Sequence, residues 1–390
     1  MQNPAIPARL AGITSFIVMD VLEKAQSMEA QGIDVIHLEI GEPDFSTPEA
    51  VKDAALKAIR EDDTHYTHSL GKLSLREEIA GYYWRKYGVK ISPEQVMITS
   101  GTSPAMLMIF SVLLEGGKEI IMPDPYYSCY PNFVRLTDGK SVLVPVYEED
   151  GFIYRQETVR QLIRPSTRAI LVNSPSNPTG VVYPSAMLQS LADTGQMIVS
   201  DEIYHGLVYA GQEHSILEYT DRAFVINGFS KLYAMTGWRL GYLIAPPAYM
   251  RTLQKLQQNL FICASSFAQE AAIIALRNCE QVVEKRRLIY DERRQYLLTR
   301  LRKMGIAPAV EPTGAFYTLA NVKKYTRDSY QFAFEILEKA HLAVTPGIDF
   351  GANCEGYIRI SYANSLENIQ EGMDRLESFL AGCTLLSAEF

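Results

Sequence analysis

Cysteine is scarce in this 390-residue chain and carries no pattern. Its five residues, Cys129, Cys263, Cys279, Cys354 and Cys383, are odd in number, widely spaced and without a C-x-x-C pair. That argues against a disulfide framework and against a zinc site. Free thiols fit a reducing compartment. The six histidines show no metal-ligand spacing, so no metal is assigned. No apolar run reaches the ~20 residues that span a bilayer. Met1 to Leu10 hold two prolines and one arginine but no apolar stretch, and do not read as a secretory leader. A cytoplasmic protein is the simplest expectation. Positive charge is also short: 37 Lys and Arg face 45 Asp and Glu, a net charge of −8. A phosphate backbone demands a basic face, so nucleic acid is not the expected partner. A small anionic ligand held by a few local cations stays compatible with that balance. Internal repeats and low-complexity tracts are missing too.

What is present is an ordinary globular composition, 47% hydrophobic and 21% charged, which excludes disorder for the bulk of the chain. A single core rarely grows past ~250–300 residues, so two domains are expected. Residues 18–31 read as an amphipathic helix closed by Gly32, and Val35 to Ile40 as a strand. Gly41-Glu42-Pro43-Asp44 is a turn cluster, and Thr47-Pro48 opens another helix. From residue 95 a rhythm sets in. The apolar runs 96–98, 119–122, 142–146, 169–172, 197–199 and 223–226 alternate with helix-length segments, the pattern of a parallel sheet buried on both faces. From Pro247 the pattern changes to long helices, Pro247 to Leu260 and Phe267 to Met304. The tail returns to mixed strand and helix, with Tyr357 to Ser361 a strand. This predicts a central α/β domain and a smaller α+β domain: 46–290 large, 291–390 small, with 1–45 an arm that contributes to the small one.

Ligands of open α/β sheets sit at the carboxyl ends of the strands. Four such ends here carry polar residues. Ser100-Gly101-Thr102-Ser103 opens a helix and forms an anion cradle. Asn173 to Gly180 includes Asn177. Ser200-Asp201-Glu202-Ile203-Tyr204 places a Tyr three residues after an Asp, and Asn227-Gly228-Phe229-Ser230-Lys231 supplies a Lys. A Lys at this edge, near Arg239, loses its proton more easily than a free one and can form a Schiff base with an aldehyde. An Asp facing a pyridine nitrogen keeps that ring an electron sink. These parts together describe a pyridoxal-phosphate site. Taken singly, each has a plainer use: Asp201 or Ser100 to Ser103 as a helix cap, Asn177 to Gly180 as a turn, Arg239 and Arg359 as ion-pair partners. Convergence carries the reading.

Gly228-Phe229-Ser230-Lys231 with Thr236-Gly237-Trp238-Arg239-Leu240-Gly241 resembles the lysine-attachment signature of class I/II aminotransferases, fold-type I pyridoxal-phosphate enzymes. The likeness extends to Gly41 to Phe45, Tyr66, Leu75-Arg76, Ser100 to Thr102, Asn177 to Gly180, Asp201 to Tyr204 and Arg359 to Ser361. It implies a large domain with a mostly parallel sheet beside a smaller α+β domain. It implies that Lys231 carries the internal aldimine and shuttles the Cα proton, that Asp201 pairs with the pyridine nitrogen, and that Tyr204 and Asn177 bond the phenolate oxygen. It further implies that Gly101, Thr102, Ser103, Ser230 and Arg239 hold the phosphate and that Tyr127 stacks on the ring. Arg359 then grips the substrate α-carboxylate, helped by Asn177 and the Gly41 backbone. A homodimer is implied, with Tyr66 reaching the neighbouring site. Gly228 and Tyr127 depart from the aspartate branch, which has Ser and Trp there.

The implied activity is transfer of an amino group between an amino acid and a 2-oxo acid. A lyase on the same scaffold and a non-catalytic cofactor-binding regulator are the rivals. The regulator is disfavoured because no DNA-binding stretch precedes residue 20 and the charge is negative. In the aspartate branch a second Arg comes from the link between the two long helices. Residues 256–267 here hold no basic residue, which favours neutral or aromatic amino acids.

Overall fold

All six apolar runs become strands of one sheet in the computed structural model, which describes residues 7–386. Residues 1–6, most of the Met1 to Leu10 stretch, and residues 387–390 lie outside the described residues. The chain's strands are β1 (Ile36–His37), β2 (Val96–Thr99), β3 (Glu119–Asp124), β4 (Lys140–Pro145), β5 (Thr167–Asn173), β6 (Met197–Asp201), β7 (Ala223–Gly228), β8 (Gly241–Ile244), β9 (Tyr317–Asn321), β10 (Leu342–Ala343), β11 (Thr345–Pro346) and β12 (Tyr357–Ser361). The large sheet runs β2-β8-β7-β6-β5-β3-β4. Every residue of β2, β3, β7 and β8 is buried, because helices cover both faces. Pairing is parallel from β7 through β4, whereas β8 lies antiparallel to both β7 and β2.

Sequence reading misses β8. It is four residues long, begins on Gly and follows a stretch taken up by the Trp238 to Gly241 motif. Gly228 and Gly241 face each other across β7 and β8, so residues 229–240 form the loop of a long hairpin.

The expected helix from Phe267 to Met304 is two helices, Ser266–Asn278 and Glu280–Lys303. The first buries Ala268, Ala271, Ala272 and Ala275 in the large core, against the helix Glu49–Arg60. The second buries Tyr290, Leu297 and Leu301 in the other core. One straight stripe cannot serve both, and the turn at Cys279 re-aims the apolar face.

Val35 to Ile40 also yields less strand than expected. Ile36 and His37 pair with Leu342 and Ala343. Beyond them the Glu39 carbonyl leaves the ladder to accept from Arg359 Nη2 and Thr345 Oγ1. Ile36 and Leu38 share a core with Phe316, Ile358, Ile360, Ile369 and Leu376 from the tail, around the antiparallel sheet β11-β12-β9. Among the described residues no helix is long and apolar enough to cross a membrane.

Candidate active site

Loop 229–240 is held over the ends of β6 and β7 by the strands on either side. Lys231 Nζ donates to the Gly41 carbonyl at 2.6 Å. Burial lowers its pKa to about 8; Glu42 opposes this, and the cations Arg359 and Arg239 add to it. An amine so placed gives up its proton more readily near neutrality than a free Lys does. Arg239 sits at φ 51° and its Nη1 donates to the Thr236 carbonyl.

The cradle forms where β2 meets the helix Thr102–Leu113. Gly101 stands at φ 95°, and a Cβ there would lie 2.6 Å from Arg239 Nη2. A Cβ on Gly241 would lie 2.9 Å from the Gly101 carbonyl carbon. Glycine at these two positions therefore brings backbone, guanidinium and helix N-terminus into one small space.

Asp201 ends β6 in a buried position. Its Oδ2 accepts from the Tyr130 hydroxyl at 2.8 Å and its Oδ1 from the Ile203 amide at 3.2 Å. Burial raises its pKa to about 6 against the pull of those bonds. Asn173 Nδ2 donates to the Asp201 carbonyl while its Oδ1 accepts the Asn177 amide, which stitches the two neighbouring strand ends together. Tyr204 Oη lies 2.9 Å from Tyr317 Oη.

Arg359, 2% exposed, projects from the middle of β12. Nη1 donates to Asn177 Oδ1 at 3.0 Å, and Nη2 to the Glu39 carbonyl and to Thr345 Oγ1. The guanidinium lies over the rings of Tyr317 and Phe350, at 4.4 and 4.8 Å. Its Nε is buried without a partner. The turn that carries Gly41 is fixed from outside: Asp44 takes both Nη atoms of Arg293, and Thr47 Oγ1 donates to the Ala234 carbonyl.

One cavity of about 310 Å³ gathers most of the expected residues. Thr102, Ser103, Tyr127, Ser230, Lys231 and Arg239 line it on the cradle side. Gly41, Asn177, Asp201, Tyr204 and Arg359 line it on the other. Gly101 stands just behind Arg239. Tyr66 is 82% exposed and outside the cavity. Sequence reasoning misses Phe16, Glu42, Tyr130, Asn173, Thr236 and Tyr317, which also line it. Asn173 lay within a turn already singled out. Tyr130 and Tyr317 give no local signal, because their partners lie 71 and 113 residues away.

The donor set fits pyridoxal phosphate: an amine with a lowered pKa, a buried carboxylate in want of a cation, and a glycine-opened anion cradle share one cavity. Fold and site thus define a fold-type I pyridoxal-phosphate protein. The family model for aminotransferase class I and II matches residues 33–376. A (5-formylfuran-3-yl)methyl phosphate transaminase of Methanocaldococcus jannaschii is 41% identical over 95% of this chain and 98% of its own length. Aromatic-amino-acid aminotransferase 2 of Thermococcus litoralis is 40% identical over 90% and 93%. The structure of Thermus thermophilus aspartate aminotransferase with maleate superposes with a TM-score of 0.92 at 36% identity, covering 97% of this chain and all of that one. The chain belongs to the class I and II aminotransferases. It is a transaminase, and its cofactor is pyridoxal phosphate.

Proposed function

We propose that this transaminase exchanges the amino group of a neutral or aromatic amino acid with a 2-oxo acid, and that Lys231 is its cofactor lysine and its base. One observation carries the substrate reading. Phe16, Val18, Met19 and Ile40 make an apolar wall in the cavity, and the Lys and Arg residues that line it are Lys231, Arg239 and Arg359. Each of these three already has a task. The absence of a basic residue over 256–267 points the same way.

Pyridoxal phosphate, when bound, supplies the electron sink for the pair left on Cα once its proton departs. Thr102, Ser103, Ser230, Arg239 and the Gly101 backbone hold its phosphate. Tyr127 would lie against the ring. Asp201 would hold a proton at the ring nitrogen, which would offset the cost of burying its carboxylate. Asn177 and Tyr204 face the phenolate oxygen. Arg359 takes the substrate α-carboxylate, its plane already fixed by Tyr317 and Phe350. Lys231 Nζ would serve as the base for the substrate Cα proton, with the Gly41 carbonyl orienting the amine. Tyr66 completes the site of a neighbouring copy in a homodimer. The free thiols fit a cytoplasmic setting. We place the large domain at 46–290, the small one at 291–390, and the arm at 1–45.

The test is a panel of amino donors with pyruvate and 2-oxoglutarate. Neutral and aromatic donors are expected to exceed aspartate in kcat/KM by about tenfold or more, the value of one unmatched carboxylate at an apolar wall. Aspartate as the best donor would overturn the substrate reading. Ammonia released without a matching new amino acid would overturn transamination as the main reaction. Lys231→Ala is expected to keep cofactor affinity within a modest range and to lose turnover; retained turnover removes its assigned role.

A further inference from the structure

We propose that Tyr317 is a positioning residue for both ends of the site: its hydroxyl donates to Tyr204 Oη, and its ring carries the Arg359 guanidinium. The proposal rests on the reading that Tyr204 faces the cofactor's phenolate oxygen. Tyr317 begins β9 opposite Ser361, two residues beyond Arg359 on β12. It is buried, and three neighbours fix it. Tyr204 Oη is 2.9 Å away, and the two rings meet edge to face at 84°. The Arg359 guanidinium lies 4.4 Å from the ring centre. Gly41 presses on the hydroxyl so closely that a Cβ there would run into it.

The direction of the Tyr204–Tyr317 bond follows from counting hydrogens. A phenol has one to give and two lone pairs to receive with. If the Tyr204 hydrogen goes to the phenolate oxygen, the hydrogen in the 2.9 Å contact must come from Tyr317. Both phenols are raised by burial and keep their protons, with Arg359 opposing the rise in each. A bond donated to Tyr204 Oη polarises its O–H and makes it a stronger donor in turn. The titratable and charged groups that share the cavity with the pair are Glu42, Tyr127, Tyr130, Asp201, Lys231, Arg239 and Arg359. Tyr317 thus divides two tasks between two parts: the hydroxyl tunes the cofactor, and the ring serves the substrate carboxylate.

Three variants of the cofactor-loaded enzyme separate these tasks. The readouts are the pH at which the cofactor's visible absorbance changes form and the KM for amino donors. A donor at the phenolate oxygen favours the form with more charge on that oxygen, so weakening it moves the transition to higher pH. Tyr317→Phe keeps the ring and drops the hydroxyl. The transition is expected to rise by about one unit, about 1.4 kcal/mol, with KM within about twofold of the parent. Tyr317→Leu is expected to show the same rise and also a KM about tenfold higher for every amino donor, the loss of one cation–ring contact. Tyr204→Phe serves as the control and is expected to raise the transition at least as far. A rise with Tyr204→Phe but none with Tyr317→Phe overturns the relay and leaves the Tyr204 reading standing. No rise with either overturns both. A KM raised equally by Phe and Leu at 317 overturns the division between hydroxyl and ring.

Discussion

A carboxylate without a cation is expensive to bury, and Asp201 shows how the chain manages that cost. The Tyr130 hydroxyl and the Ile203 amide each donate to it, yet burial still leaves its pKa near 6. Ionisation of Asp201 therefore sets an acid limit on any task that needs its charge. Tyr130→Phe removes one stabilising donor from the charged form, so the pKa of Asp201 must rise further. The dissociation constant of pyridoxal phosphate, measured against pH, is expected to show its acid limb moved upward by about one unit in Tyr130→Phe. An unmoved limb would mean that Asp201 does not control cofactor affinity. At this scale the sequence speaks only where neighbours in the chain share a task. Asp201 with Tyr204, and Ser230 with Lys231 and Arg239, stand close enough to be seen together. Tyr130 and Tyr317 join them only through folding, and no spacing announces either.

Elements tell a similar story. The runs that became β2 to β7 were legible because both faces of the sheet are covered, which leaves unbroken apolar stretches. The edge strand β4 mixes exposed and buried residues and was still recognisable from Val142 and Val144. β8 was illegible because it returns through a hairpin where six parallel strands had set the expectation. The helix Ile17–Glu29 meets β1 through His37, whose imidazole lies between Glu39 at 2.8 Å and Glu29 at 3.2 Å. The Glu39 bond, opposed by burial and aided by the charges of Glu39 and Glu29, lifts the His37 pKa from 6.5 to about 9. A group whose folded pKa is raised stabilises fully below its unfolded value and loses that contribution as pH rises through the folded one. Thermal midpoints of the parent and of His37→Gln are therefore expected to differ most below 6.5 and to converge above about 9. A constant gap across that window would assign the loss to packing instead of charge.

Across the whole molecule, two cores meet at the cavity. Gly41 and Arg359 belong to the side built from the arm and tail, and Lys231 and Asn177 to the large sheet; the hydrogen bonds between them cross the join. Tyr66 is exposed on the single chain, which leaves it available for the role proposed for it in a neighbouring copy. This has a quantitative consequence for mixed assemblies. Tyr66→Phe and Lys231→Ala chains, refolded together, should form dimers in which one site takes its Lys from the first chain and its Tyr from the second. Turnover at parental cofactor affinity is expected to return in that site, whereas Lys231→Ala alone has no turnover and Tyr66→Phe alone turns over only with weakened cofactor binding. Failure to recover it in verified heterodimers would remove Tyr66 from the neighbouring site. Composition foretold none of this geometry; its net negative charge only made a phosphate backbone an unexpected partner and left room for a small anionic ligand.

The pairing of Ile36 with Leu342 also orders events in time. A chain is made from its amino end, so the cradle, Asp201 and Lys231 all emerge before Arg359. Ile36 has no ladder partner until Leu342, far later in the chain, follows it out. The residues proposed to hold the cofactor are thus made before the one proposed to grip the substrate, and β1 stays without its partner strand until β10 has been made.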